Sequence, residues 1–196
     1  MAGRQVPPRA VPAESDLVFR AEILDAVGMA RVVRRMAFEI LERAGADAYF
    51  VGIRSGGAFL AERMVQLLAE AGEGRPTLGA VDITLYRDDV FLGLPKPEVG
   101  PTDLPESVDG RIVVLVDDVL FTGRTVRAAM DVLADYGRPR AVQLAALIDR
   151  GRRELPIQPD YVGVRTQTSA DQSVRVLLSE KGESDRVILR QKTTAA

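Results

Sequence analysis

Apolar positions along this chain follow two rhythms, and their order predicts an architecture. From about Glu22 to Arg43 they recur every three or four residues, placing Val33, Ala37, Ile40, Leu41 and Ala44 on one face. This spacing predicts a helix whose other face carries Arg31, Arg34 and Arg35. The run 49–53 is apolar throughout and reads as a short buried strand, ended by Arg54-Ser55-Gly56-Gly57. A second helix is expected from about Ala58 to Ala71, with Leu60, Met64, Leu67 and Leu68 as its apolar stripe. Residues 78–86 and 111–116 read as strands. The latter leads into a helix from Thr125 to about Tyr136, with Val126, Ala129, Met130 and Leu133 inward and Gly137 as terminator. Residues 141–148 and 161–164 supply further strands, and 174–179 with 186–190 predict a terminal hairpin.

Continuous apolar strands alternating with helices define an α/β class, a mostly parallel twisted sheet flanked by helices. Residues 1–16 carry prolines and little periodicity and are expected to be a disordered tail, leaving 17–196 as a single domain. Within it, the proline-rich, acidic stretch from about 87 to 109 breaks the rhythm and predicts a flexible arm. Ligands of such sheets sit beyond the carboxyl ends of the strands. Residues 54–57 and 117–125 should therefore face one crevice.

The chemistry concentrates in Val-Val-Leu-Val-Asp-Asp-Val-Leu-Phe-Thr-Gly-Arg-Thr, residues 113–125. A Thr122-Gly123-Arg124-Thr125 turn opening into a helix offers free backbone amides, two hydroxyls and the positive end of a helix dipole, the setting for a phosphate. Asp117 and Asp118 cannot hold that anion. They suit vicinal hydroxyls, developing positive charge, or Mg²⁺ shared with ligand oxygens. Phosphate at one end and hydroxyls at the other describe a ribose 5-phosphate. A purely structural alternative makes Asp118 the cap of the following helix.

Composition narrows this picture. The 196 residues are 46% hydrophobic, enough for a real core, with a net charge of −2 that argues against a wholesale polyanion binder. There is no cysteine and no histidine, which removes disulfides, thiolate metal sites and every Ser-His or Cys-His nucleophile pair. Chemistry must rest on carboxylates, hydroxyls, Arg, Lys and backbone amides. No apolar stretch is long enough to span a bilayer or serve as a signal peptide core, so a cytoplasmic protein without membrane association is expected.

The 113–125 string resembles the phosphoribosyl-pyrophosphate (PRPP) binding motif of type I phosphoribosyltransferases. The wording of residues 81–89, 136–151 and 153–163 is similar to the PyrR family, bacterial pyrimidine-operon attenuation regulators that are also uracil phosphoribosyltransferases. The resemblance spans roughly residues 22–190. It implies a type I core with a small hood, Mg²⁺ as cofactor, a dimer or tetramer, and formation of UMP and pyrophosphate from PRPP and uracil. It further implies UMP-responsive binding of operon leader mRNA.

By the same resemblance Asp117 and Asp118 hold the ribose hydroxyls and residues 122–125 cradle the 5′-phosphate. Arg54, Ser55, Gly56 and Gly57 form the pyrophosphate loop, and Arg87 opens the closing arm. Asp149, Arg150, Val162 and Gly163 belong to the hood over the base. RNA-contact candidates are Arg31, Arg34 and Arg35, together with Arg152, Arg153 and Arg165. The chain departs from the family wording at Ser55-Gly56-Gly57, where Thr-Arg-Gly is usual, at Arg152 in place of His, and over 164–169. The alternatives left open are a transferase for another base, or a nucleotide-binding module without RNA regulation.

Overall fold

A computed structural model describes residues 17–54, 56–84 and 101–193. Five parallel strands form the main sheet in the order β3-β2-β4-β5-β6: β2 (Tyr49–Ile53), β3 (Leu78–Val81), β4 (Ile112–Leu120), β5 (Ala141–Asp149) and β6 (Tyr161–Arg165). Helices α1 (Ala26–Ala44) and α2 (Gly56–Glu70) pack on one face. Helix α3 (Arg124–Tyr136) covers the other. Central strands buried on both sides explain why β2 is apolar at every position. Met29, Met36, Ile40, Leu60, Met64 and Leu68 are fully buried beneath the helices. Each such side chain contributes roughly 1.5–3 kcal/mol.

The chain runs from β2 outward to β3, then returns to the other side of β2 as β4. That reversal places a crevice between the carboxyl ends of β2 and β4, where the loop into α2 meets the loop into α3.

A second sheet, antiparallel and in the order β1-β8-β7, joins β1 (Leu17–Leu24), β7 (Gln172–Leu177) and β8 (Arg186–Lys192). The terminal hairpin is as expected, with a one-turn 3₁₀ helix at Ser179–Lys181. Strand β1 corrects the expectation of a helix from Glu22. Asp25 ends it by capping α1, accepting the Gly28 amide at 2.6 Å. Leu17–Leu24 then pairs with a strand some 165 residues on, a partnership no local periodicity encodes. This second sheet joins the two ends of the described chain. The expectation that 161–164 would be hood is corrected as well, since they form β6 within the main sheet.

Further corrections concern boundaries. β4 extends through Asp117 and Asp118 to Leu120 because β5 pairs with it as far as Leu120↔Asp149. The acids therefore lie in the strand rather than in a turn after it. β3 stops at Val81, where Asp82 turns the chain by accepting the Thr84 amide at 2.7 Å. Met130 is 37% exposed rather than inward, with Ala128 and Val132 lining the core beside Val126, Ala129 and Leu133.

The expected tail, residues 1–16, lies outside the described residues, as does the arm over 87–100. Residues 101–109 run along β3: Asp103 bridges Ala80 in antiparallel fashion and Val108 is fully buried.

Candidate active site

Asp117 and Asp118 sit near the carboxyl end of the central strand. Asp117 is 5% exposed. Its carboxylate accepts the Asp118 amide at 3.0 Å, and that of Asp118 accepts the Val119 amide at 2.8 Å. Burial pushes the Asp117 carboxyl well above the usual carboxylate range, and the adjacent Asp118 charge adds to this. Burial also raises Asp118, opposed by the Val119 amide and by the ammonium of Lys181. Two neighbouring acids that resist ionising together are matched to neutral hydroxyls and to positive charge.

On one side of the pair lies the 122–125 elbow. Gly123 adopts φ +93°, the left-handed region, and is itself the N-cap of α3 without a side-chain cap bond. Asp118 therefore does not cap this helix. Thr122 Oγ1 accepts the Arg124 amide at 3.3 Å. The segment 153–157 braces the elbow from outside. Thr122 O accepts the amides of Glu154 and Leu155 at 3.0 and 3.1 Å, and Glu154 pairs with Arg124 at 2.9 Å. The Arg124 amide is thus taken by Thr122 Oγ1, and one turn on the Arg127 amide donates to Gly123 O at 2.9 Å.

On the other side the loop from β2 leads into α2. Arg54 is an exposed turn residue whose amide bonds Val81 O at 3.0 Å. Ser55 lies outside the described residues. Gly56 and Gly57 open α2 in close contact with β4. A Cβ on Gly57 would lie 2.0 Å from Val116 O, and one on Gly56 2.1 Å from Asp118 Oδ2. Only hydrogen fits at either position. The structure thus brings 56–57 against 116–118, with 54 and 122–125 following the ends of the same neighbouring strands. Arg87 lies outside the described residues.

Asp149 and Arg150 end β5 at the same edge. Asp149 is held by Arg153 Nη2 at 2.6 Å and by the Gly151 amide at 3.0 Å. Arg150 is buried, stacked 3.9 Å from the Phe121 ring centroid, and donates to Thr168 Oγ1 at 3.1 Å and Gln172 O at 2.7 Å. Burial, then the Arg152 charge, lowers its pKa. Val162 and Gly163 lie lower in the sheet, beside α1. A Cβ on Gly163 would meet Leu147 O at 2.3 Å and Val32 Cγ1 at 2.8 Å.

The arginines proposed for RNA divide in the structure. Arg31 and Arg34 are exposed on α1. Arg35 reaches Val162 O and Gly163 O at 2.9 and 2.7 Å and pairs with Glu39. Arg153 is spent internally on Asp149, Ile157 O, Phe121 O and Gly151 O. Arg152 is exposed at φ +57°, and the Arg165 side chain is 76% exposed, 3.9 Å from Asp149. The sequence reading missed Phe121 and Thr168 as partners of Arg150, and Arg63, which pairs with Glu180 at 2.6 Å and Asp185 at 2.8 Å. A charge-dense turn, Ser179–Asp185, was the available signal for Arg63.

A family model described as a phosphoribosyl transferase domain matches residues 20–178. A solved hypoxanthine-guanine phosphoribosyltransferase from Bacillus anthracis shares the fold with a TM-score of 0.65 at 17% identity, over 90% of this chain and 99% of that one. Fold and family model together define a protein of the phosphoribosyltransferase class. A bifunctional protein PyrR from Thermoanaerobacter sp. (strain X514) is 49% identical over 175 residues, 88% of this chain and 98% of its own length. Another from Chloroflexus aurantiacus is 52% identical over 170 residues, 86% of this chain and 93% of its own. The chain belongs to the PyrR family of phosphoribosyltransferases.

Proposed function

We propose that the protein transfers the phosphoribosyl group of PRPP to uracil, releasing pyrophosphate and forming UMP, and that UMP tunes its binding to leader mRNA of a pyrimidine operon. One observation carries the enzymatic reading: a diacid, Asp117 buried and Asp118 half-buried, flanked at one sheet edge by a hydroxyl-bearing elbow and the tight start of a second helix. The elbow amides and Thr122 and Thr125 hydroxyls bind the 5′-phosphate. Asp117 and Asp118 accept the ribose 2′- and 3′-hydroxyls. The loop 54–57 receives the pyrophosphate.

Uracil N1 bonds to ribose C1 as the bond from C1 to pyrophosphate oxygen breaks, and the N1 proton is released. Positive charge that builds on the ring during this exchange lies beside the two carboxylates, which stabilise it. Arg150, rigid on Phe121, and Asp149, fixed by Arg153, shape the base end of the crevice. The family resemblance assigns to Arg87 the exclusion of water that would hydrolyse PRPP.

Among the described residues no cluster of three or more metal-ligating side chains exists. The two carboxylates fit a hard cation held mainly through PRPP oxygens. Mg²⁺ bound in that way neutralises diphosphate charge. Among the described residues no helix is long and apolar enough to cross a membrane. We place the enzyme in the cytoplasm as a homo-oligomer.

Assay with PRPP and, in turn, uracil, orotate, hypoxanthine and guanine tests the enzymatic reading. UMP from uracil alone is expected, and turnover of only a purine or orotate would reassign the base. The regulatory half draws on the relatives, which are named bifunctional, and on the exposed Arg31 and Arg34. A gel-shift titration with leader RNA should show binding that UMP tightens. Affinity no better than for unrelated RNA removes regulation.

A further inference from the structure

We propose that Arg153 is a positioning residue for the 5′-phosphate. Its guanidinium sets where residues 121–124 stand relative to β5, and so how tightly the elbow holds a phosphoryl group. This deepens the reading of the 122–125 elbow as a phosphate site and rests on it.

Four of the five N–H donors of this guanidinium are engaged within the protein. Nη2 donates to Asp149 Oδ1 at 2.6 Å, Nη1 to Phe121 O and Gly151 O at 3.1 Å each, and Nε to Ile157 O at 2.9 Å. The Arg153 side chain is 11% exposed and that of Asp149 10%. A cation so engaged acts through its partners rather than on a ligand. Those partners are the end of β5, the residue that enters the elbow, and the segment that braces it.

The brace touches the elbow at every residue from 121 to 124. Arg153 holds the Phe121 carbonyl, and the amides of Glu154 and Leu155 hold that of Thr122. The side chains of Leu155 and Ile157 cover Gly123, 3.4 Å from where a Cβ would stand. Glu154 pairs with Arg124. Arg153 ties this brace to β5 through Asp149, so the position of the elbow follows from where Arg153 is held.

The backbone before Arg153 carries the same message. Gly151 and Arg152 adopt φ +68° and +57°, two left-handed residues in a row, and among the described residues Arg152 alone does so without being glycine. The chain thereby folds back, and Arg153 donates to Gly151 O, two residues behind it. Such a conformation persists where surrounding contacts over-determine it, and the bonds of Arg153 are those contacts. Lysine here would keep a charge facing Asp149 but lose the planar fork that reaches Phe121 O and Ile157 O together. That difference separates the elbow from the base end of the crevice.

The test compares Arg153→Lys with wild type through dissociation constants for UMP and uridine, KM values for PRPP and uracil, and thermal melting. Uridine carries the base and ribose without the phosphate, so the ratio of the two affinities reads the elbow. Loss of the elbow contact predicts UMP affinity and PRPP KM each worsened about tenfold, with uridine affinity and uracil KM within about twofold of wild type. Equal losses for UMP and uridine, or unchanged UMP affinity, would overturn the proposal. If Arg153→Lys does not fold, hydrogen exchange in wild type decides. The Glu154 and Leu155 amides, which donate to Thr122 O, should exchange more slowly with UMP and not with uridine. Exchange that responds alike to both ligands, or to neither, sinks the positioning role. Wild-type protein that binds UMP no more tightly than uridine would instead refute the phosphate reading of the elbow itself, whatever the variant does.

Discussion

The turn from β4 into α3 and the turn from β2 into α2 meet at one edge of the sheet, and both depend on glycine. Gly123 is required for its conformation: φ is +93°, while its nearest neighbours would stand 3.4 Å from an added Cβ. Gly56 and Gly57 are required for their size, since an added Cβ would fall 2.1 Å from the Asp118 carboxylate or 2.0 Å from a strand carbonyl. One turn needs a backbone that only glycine adopts easily. The other lets a helix press against the diacid. Sequence shows glycine in both, and only the packing distinguishes the two requirements.

The diacid lies between the turns, so removing it tests both. Asp117→Asn with Asp118→Asn should lower kcat by about 10²–10³-fold while circular dichroism remains native. Turnover near wild type would leave the two turns with nothing to serve. Gly57→Ala should destabilise by about 1–3 kcal/mol in urea unfolding, because strand backbone must move. Gly56→Ala instead displaces the Asp118 carboxylate and should cost more in activity than in stability. Gly123→Ala should cost about 1–2 kcal/mol from the left-handed backbone alone, without a steric clash. If Gly123→Ala proved as disruptive as Gly57→Ala, the distinction between conformation and space would fail.

The smallest effect concerns Asp117 alone. Burial raises its folded-state pKa above that of the unfolded chain, so the folded protein holds the proton more tightly. Stability therefore falls as pH rises from the ordinary carboxylate range toward the raised value. Asp117→Asn should lift the melting temperature near neutral pH by about 2–4 °C and leave it unchanged near about pH 3. A lowered melting temperature at neutral pH would mean the carboxylate stabilises the fold rather than straining it.

The clamp at Arg63 titrates in the opposite sense. Glu180 and Asp185 are held below their usual carboxylate range, chiefly by hydrogen bonds from Arg63. Their contribution is present above the unfolded values and disappears as pH falls through the depressed ones. Acid should loosen the second sheet from α2 while it relieves the repulsion within the diacid.

Local pattern was sufficient for the central strands, the three helices and the 113–125 string, because buried strands, amphipathic stripes and a glycine-opened helix start are encoded within a few residues. It put the start of α1 at Glu22, since a strand of alternating character leads directly into a helical stripe. Asp25 marks the true boundary. It ended β4 before the acids, since Asp usually closes a strand. Pairing with β5 as far as Leu120 carries the acids inside it.

The sequence by itself determined the chemistry available here: two adjacent acids, a Thr-Gly-Arg-Thr elbow, no histidine and no cysteine. These are matters of residue type and short spacing. Tertiary structure alone decided that Asp117 is buried, that α2 begins against the acids, and that a turn near the C-terminus is bolted to α2 by Arg63. Burial, close approach and a charge reaching across more than a hundred residues depend on how distant segments pack, and composition and periodicity carry no record of that.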